Sequence, residues 1–419
     1  MGYNEEYKAI LHENRGIKMR KIKEDNINNR DILFIPAMLD CHFPLLKYAF
    51  YSSKYYPVIL DNEEDITNIG LKYVNHEMCY PIILIAGQMI GKLLEATYNP
   101  AKVKLLMPTA GDACRGGNYN GVLKRAVAKA GFCSTEVLTL NAVGMDKKHA
   151  LKITPDMVYR AVFGLFYGDI LMLLLNQVRP YEKKPGAARE CYDKWVHILA
   201  QDIIQGKHLT FSKMKQNFYR IAKDFAEIDK IKEKKQRIGL VGEIYIKYCH
   251  MGNWNMVTYL EKAGCETHTN GLSWYALYYI DSHLSEEKGL LKHGFQLVYK
   301  LLRDLQRAMI TALREYDFYT LDEFEIMKKE AQGYVNYNQT IGDGWLIGAE
   351  AIAHIKHECP KVLGMQPFGC MPNHTCGRGI YPAISRAFPE SRIVSIDVDP
   401  GAAKDNVYNR VMMLVNAKL

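Results

Sequence analysis

The chain has 419 residues, 48% of them hydrophobic and 24% charged, with a formal net charge of +8. That length suits two or three domains with a core of ordinary size, so no staples are needed. The basic excess is spread out: the clustered tracts of a nucleic-acid binder are missing, and the densest run, Lys230–Arg237, reads as a solvated linker.

The N-terminus, MGYNEEYKAILHENRG, is charged and has no apolar signal-peptide core, so a cytoplasmic protein is expected. Residues 1–30 read as a charged helical extension with a disordered tip at Asn26–Asn29. The pattern then predicts a strand at Asp31–Leu39, a helix at Pro44–Lys54 and a strand at Tyr56–Leu60. Helices at Ile66–Val74 and Tyr80–Ala96 lead to a strand at Val103–Pro108. A loop carrying Gly111, Gly116 and Gly117, a helix to Gly131 and a strand at Glu136–Asn141 complete the unit 31–150. Strand-length apolar runs alternating with helical periodicity indicate a parallel sheet of βαβ units.

Residues 151–232 are helical in period, broken once by Pro180, Pro185 and Gly186. Their most apolar stretch, Ala161–Leu175, is too short for a bilayer and contains Asp169, so it reads as a buried helix. The second α/β unit, 233–419, opens with RIGLVGEIYIKY at Arg237–Tyr248, read as a strand. An amphipathic helix over Leu290–Leu313 follows, then a strand at Tyr334–Tyr337 and a helix at Trp345–His357. A strand at Val362–Gln366, a helix at Arg378–Phe388 and a strand at Arg392–Val398 close it. The expected fold class is therefore α/β: two Rossmann-like parallel-sheet domains with a helical connecting region.

Ten cysteines in a reducing compartment argue for metal or redox use rather than disulfides. Six of them, Cys41, Cys79, Cys114, Cys249, Cys370 and Cys376, fall where a strand is expected to end or a helix to begin. Ligands of open α/β sheets bind at the carboxyl ends of the strands. Thiolates gathered there, at helix starts and beside glycines, suit an anionic iron–sulfur cluster. Zinc fits less well, because the closest pair, Cys370 and Cys376, has five residues between its members and no partner knuckle. For any one of these cysteines alone, a small buried hydrophobe is an equally good reading.

Other signals are weaker. GDGWLIG, with Gly342, Gly344 and Gly348, is not a dinucleotide fingerprint and reads first as a turn leading into a helix. GQMIGK at Gly87–Lys92 is one residue short of a P-loop and lacks the following Ser/Thr, so no ATP site is expected in this chain. His42 and His374 neighbour the cysteines and are the candidate proton donors, although packing is the slightly better reading of each. Arg115 and Arg378 could neutralise cluster charge or cap loops, and Asp397 and Asp399 read as turn formers.

The motifs YVNHEMCYPIILIAGQMI, LLMPTAGDACRGGNYNGVLKRAVAKAGF, VGEIYIKY, NQTIGDGW and QPFGCMPNH resemble the 2-hydroxyacyl-CoA dehydratase-related family, in particular its domain in large activase-fused proteins. The resemblance runs from about residue 30 to the end of the chain. It implies two Rossmann-like domains and a cubane cluster held by three cysteines, with Cys79, Cys114 and Cys370 on the shared positions. Cys41, Cys249 and Cys376 are additions that many relatives lack, and they imply a second cubane. That set resembles the double-cubane proteins, whose 8Fe-9S cluster joins two 4Fe-4S units through a bridging sulfide. The resemblance further implies an oxygen-sensitive homodimer that receives low-potential electrons from an ATP-hydrolysing iron–sulfur reductase and reduces small molecules such as acetylene. The alternatives are a 2-hydroxyacyl-CoA dehydratase subunit with one 4Fe-4S cluster, and a non-catalytic electron carrier. Which three cysteines would serve which cubane stays open.

Overall fold

A computed structural model describes residues 30–109, 114–140, 150–284 and 289–418. The helix expected within 1–30 and the loop glycine Gly111 lie outside the described residues.

The first sheet contains β1 (Asp31–Ile35), β2 (Tyr55–Ile59), β3 (Val103–Pro108) and β4 (Glu136–Leu140). The second contains β5 (Gln236–Gly242), β6 (Cys265–His268), β7 (Lys361–Pro367) and β8 (Arg392–Val398). Their orders are β2-β1-β3-β4 and β6-β5-β7-β8, and every pairing is parallel. The same order is thus used twice, once in each half of the chain. Sheets of this kind are covered by helices on both faces, and so their inner strands are largely apolar. All seven residues of β7 are buried.

In the first unit, helices α1 (Ile66–Tyr73), α2 (Tyr80–Leu94) and α3 (Tyr119–Lys129) flank the sheet. The middle of the chain forms α4 (Pro155–Val178), α5 (Ala187–Gln205) and α6 (Phe211–Ala226). It is broken twice rather than once, because Gly206 closes α5 with φ +64°. By length and composition α4 could cross a membrane, but 67% of its apolar window is buried inside the fold. It is the central helix of a core shared with the second unit, where it packs on β6.

Helices α7 (Ile244–Tyr248), α8 (Met256–Lys262), α9 (Leu272–Leu284), α10 (Gly289–Glu315), α11 (Leu346–Lys356), α12 (Tyr381–Ala387) and α13 (Lys404–Asn416) belong to the second unit. Beyond the expected set the second unit also has α8, α9, a short helix at Phe324–Glu330, α13 and the strand β6. The strand β6, sequence CETH, has no apolar run to announce it, yet all four residues are buried. Helix α13 buries Val407, Val411 and Leu414 along one face.

Four expectations are corrected. The run Arg237–Tyr248 is not one strand: β5 stops at Gly242 and the chain turns into α7. Gly242 has φ +132°, and a Cβ there would sit 1.9 Å from the Met365 carbonyl oxygen. Glu243 then caps α7 by accepting from the Ile246 N–H at 2.9 Å. Strand β1 ends at Ile35 because Pro36 has no N–H to donate, and the Ala37 N–H turns to the Gln88 side chain. The helix expected at Pro44–Lys54 is a single turn, Phe43–Leu46, plus a 3₁₀ turn, Lys47–Ala49. Ser52 ends it by accepting from the Lys54 and Tyr55 N–H groups. Tyr334–Tyr337 forms no strand; its backbone groups are consumed by local turns, Tyr334 to Ala331 and Gln339 to Asn336.

The loops leaving the carboxyl ends of the two sheets meet. The Asp40 N–H donates to Tyr248 O at 3.3 Å, and the Cys249 thiol approaches Ala37 O at 3.5 Å. One apolar core runs through both units, joining Phe34, Leu105 and Met107 to Ile238, Leu240 and Met365. In each sheet the central pair, β1/β3 and β5/β7, is the point where the strand order reverses and where such folds bind ligands.

Candidate metal centre between the two sheets

Three of the six cysteines come together. Cys79 stands at the N-cap of α2, and Cys114 at the N-cap of the 3₁₀ turn Arg115–Asn118 that follows β3. Cys370 directly precedes the turn of helix at 371–378 that follows β7. Cys79 interacts electrostatically with Cys114, and Cys370 with Cys79. Hydrogen-bond donors point at all three sulfurs. The Gly116 N–H donates to Cys114 Sγ at 3.4 Å, Asn373 Nδ2 to Cys370 Sγ at 3.4 Å, and the Tyr119 hydroxyl hydrogen-bonds Cys79.

Two carboxyls, the half-buried Glu243 and the buried Asp343, complete the group. Glu243, carried across from β5 of the other sheet, acts on both Cys79 and Cys370. Asp343 accepts from Asn373 Nδ2 at 3.2 Å and lies near both Cys370 and Cys376. Burial pushes the Cys79 thiol up to about 12, helped by the Glu243 charge and opposed by the Tyr119 hydrogen bond. Burial, then Glu243, raises Cys370 as well, against the N–H of Asn373. Glu243 is itself raised by burial, and Asp343 by burial and by Glu243. Cys79, Cys370, Glu243 and Asp343 are all raised above their ordinary values, and a cationic group placed among them would favour their charged, ligating forms.

A cavity of about 730 Å³ opens beside this group. Its lining includes Met78 and Tyr80 on either side of Cys79, Arg115 next to Cys114, and Gly369 next to Cys370. Arg115 Nη1 donates to Glu77 O at 3.0 Å, which fixes the guanidinium at the cavity wall.

The other three cysteines take different positions. Cys41 lies six residues beyond the end of β1, in a separate cavity of about 360 Å³ with His42, Arg179 and Arg189. Burial and the adjacent Asp40 push its thiol up to about 12, against the two arginines. Cys249 closes helix α7 instead of ending a strand, the consequence of the turn at Gly242, and it groups with Asp40 and His250. Cys376 sits inside the π-wound turn Asn373–Arg378, not at a helix start, and burial raises its thiol. Cys41 thus lines a neighbouring cavity and Cys249 is buried behind its lining residue His250, while Cys376 shares Asp343 with the three-thiol group.

Both candidate histidines are tied to carboxylates. His42 is fully buried, with Nε2 2.7 Å from Asp169 Oδ1. Asp169 also accepts from the N–H groups of Leu272 and Ser273, so the pair pins the β1 loop to α4 and to the start of α9. His374 Nε2 lies 3.1 Å from Asp397 Oδ1, and Asp397 also receives Arg378 and Gln366. Asp397 therefore organises side chains rather than a turn. GDGWLIG makes the turn into α11, with Trp345 N–H donating to Gln339 O at 2.9 Å. GQMIGK lies within α2, where no phosphate loop can form; its Lys92 pairs with Glu95 and Asp61.

Sequence reasoning missed Glu243, Tyr119, Asp343 and Asn373 as members of the group. Each lies inside a motif already singled out, but nothing in one strand of sequence shows that VGEIYIKY and CMPNH converge. Comparisons of the sequence with protein-family profiles and with curated proteins find no match.

Proposed function

We propose that this chain is an iron–sulfur protein in which Cys79, Cys114 and Cys370 hold one cubane 4Fe-4S cluster between the two sheets, as the motif resemblance to the 2-hydroxyacyl-CoA dehydratase-related family implies. The observation that carries this reading is the convergence of those three thiols, each with a hydrogen-bond donor aimed at its sulfur. When bound, such a cluster supplies low-potential electrons and one iron without a protein ligand. The chain's own part is to hold and tune it. Tyr119, Gly116 and Asn373 donate to the sulfurs, which raises the reduction potential relative to bare thiolates. Glu243 and Asp343 supply carboxyls beside it, and the adjoining cavity admits a small substrate. The electrons would come from a separate ATP-hydrolysing reductase, and the reaction would be dehydration of a 2-hydroxyacyl thioester or reduction of a small unsaturated molecule.

The 8Fe-9S double cubane is the second reading. It is favoured by Cys376, which shares Asp343 with Cys370, and it requires Cys41 and Cys249 to join as well. Anaerobic purification with iron and sulfide counting separates the two. One cubane gives about four irons per chain and the double cubane about eight. Cys79→Ser, Cys114→Ser and Cys370→Ser should each lose most of the iron, while Cys41→Ser and Cys376→Ser should leave it unchanged. A chain with no iron at all sinks both readings. Reduction by the partner without turnover of acetylene or any acyl-CoA would leave an electron carrier.

A further inference from the structure

Asp40, Cys249 and His250 form a second group of ligating side chains, outside the three-thiol pocket. One ligand atom from each lies within 4.8 Å of the others. His250 Nδ1 is 3.0 Å from Asp40 Oδ2. Two ligands on one tetrahedral ion with bonds of about 2.0 Å stand about 3.3 Å apart, so the pair needs little adjustment. The other ring nitrogen, Nε2, is 3.0 Å from Glu63 Oε1. A carboxylate on the far nitrogen is the arrangement that fixes the tautomer and orientation of a metal-binding histidine.

The backbone builds this geometry. His250 N–H donates to Asp40 Oδ2 at 2.8 Å, Asp40 N–H donates to Tyr248 O at 3.3 Å, and Cys249 N–H to Tyr245 O at 2.9 Å. Cys249 is fully buried, whereas Asp40 and His250 keep 34% and 20% of their side chains exposed and line the cavity of about 360 Å³. The group therefore has a closed side and an open side.

We propose that Asp40, Cys249 and His250 bind a single divalent transition-metal ion, zinc in the cell, with the fourth position open to the cavity and Glu63 orienting His250. A set of one thiolate, one imidazole and one carboxylate suits zinc and disfavours magnesium and calcium, which take oxygen ligands. Three protein ligands with an open position are the pattern of zinc sites that bind a water or a substrate oxygen. The proposal removes Cys249 from the iron count and is independent of the cluster on Cys79, Cys114 and Cys370.

The test uses the whole chain, purified anaerobically after growth with zinc, with zinc and iron measured on the same sample. About one zinc per chain is expected, with X-ray absorption showing one sulfur at about 2.3 Å among nitrogen and oxygen neighbours at about 2.0 Å. Cys249→Ser, His250→Ala and the milder Asp40→Asn should lose the zinc and keep the iron, with the fold checked by circular dichroism. Glu63→Gln should weaken zinc binding about 10- to 100-fold. Cys79→Ser should do the reverse, losing iron and keeping zinc. The proposal is overturned if the wild-type chain neither carries zinc nor takes up added zinc in calorimetry. It is equally overturned if the folded variants retain the zinc, or if Cys249→Ser loses iron as Cys79→Ser does.

Discussion

Lys247 sits on α7 with its ammonium 3.0 Å from both carboxylate oxygens of Glu350 and 3.1 Å from Asn270 Oδ1. Its side chain is 4% exposed and that of Glu350 1%, so neither charge can fall back on water. Removing one partner from such a pair leaves the other charge buried and unmatched. Lys247→Met should therefore cost about 3–5 kcal/mol in urea unfolding. The double variant Lys247→Met with Glu350→Gln should recover much of that loss, because it removes both charges together. Equal losses in the single and double variants would contradict the account. Residues of this kind are hard to find in the sequence: a lysine in VGEIYIKY looks like an exposed helix or strand position. The cysteines were legible as a set, since residue type and density already point to metal chemistry. Their division into a group of three and outliers was not, because it depends on turns such as the one at Gly242.

At the scale of elements, α1 and α2 cross so closely that a Cβ on Gly87 would lie 1.8 Å from the Ile66 carbonyl oxygen. Alanine is favoured over glycine within a helix by about 1 kcal/mol. Overpacking a tight contact costs about 1–3 kcal/mol, and a backbone oxygen cannot move aside as a side chain can. Gly87→Ala should thus destabilise the protein, by up to about 2 kcal/mol net. Gly294→Ala in the exposed part of α10, where a Cβ meets nothing within 4 Å, should stabilise it by up to about 1 kcal/mol. Thermal unfolding of the two variants beside wild type reads both signs. The strands β3 and β8 match their expected spans residue for residue: the inner strand β3 writes a nearly continuous apolar run, whereas the half-buried edge strand β8 is announced by its β-branched Ile393, Val394, Ile396 and Val398. β6 carries no such run: its Glu266, Thr267 and His268 are buried polar residues. Glu266 accepts from the Tyr181 hydroxyl at 2.6 Å, a contact made across the fold and invisible along the chain.

For the whole molecule, one apolar core joins strands of both sheets, and a second joins α4–α6 to the helices and strands of the second unit. Two domains with separate cores would unfold independently, but cores shared in this way couple them. Scanning calorimetry of the metal-free chain should give a single transition whose calorimetric and van't Hoff enthalpies agree. Two resolved transitions would show that the units are energetically separate. The candidate centre has the same dependence on the whole, since Cys79 and Cys114 come from the first unit while Cys370 and Glu243 come from the second.

The sequence by itself determined the α/β class, the doubling of the unit, most strand positions and the presence of an unusual cysteine set. These are properties of local patterning, which burial on both faces of a parallel sheet imposes on its inner strands. Only the tertiary structure decided which cysteines meet. It did so through backbone turns at Pro36 and Gly242, which send Cys41 and Cys249 away from strand ends, and through the meeting of the carboxyl ends of the two sheets, which brings Glu243 to thiols more than a hundred residues distant in the chain. Distance along the sequence carries no record of that contact, because it is made by packing two separately encoded halves against one another.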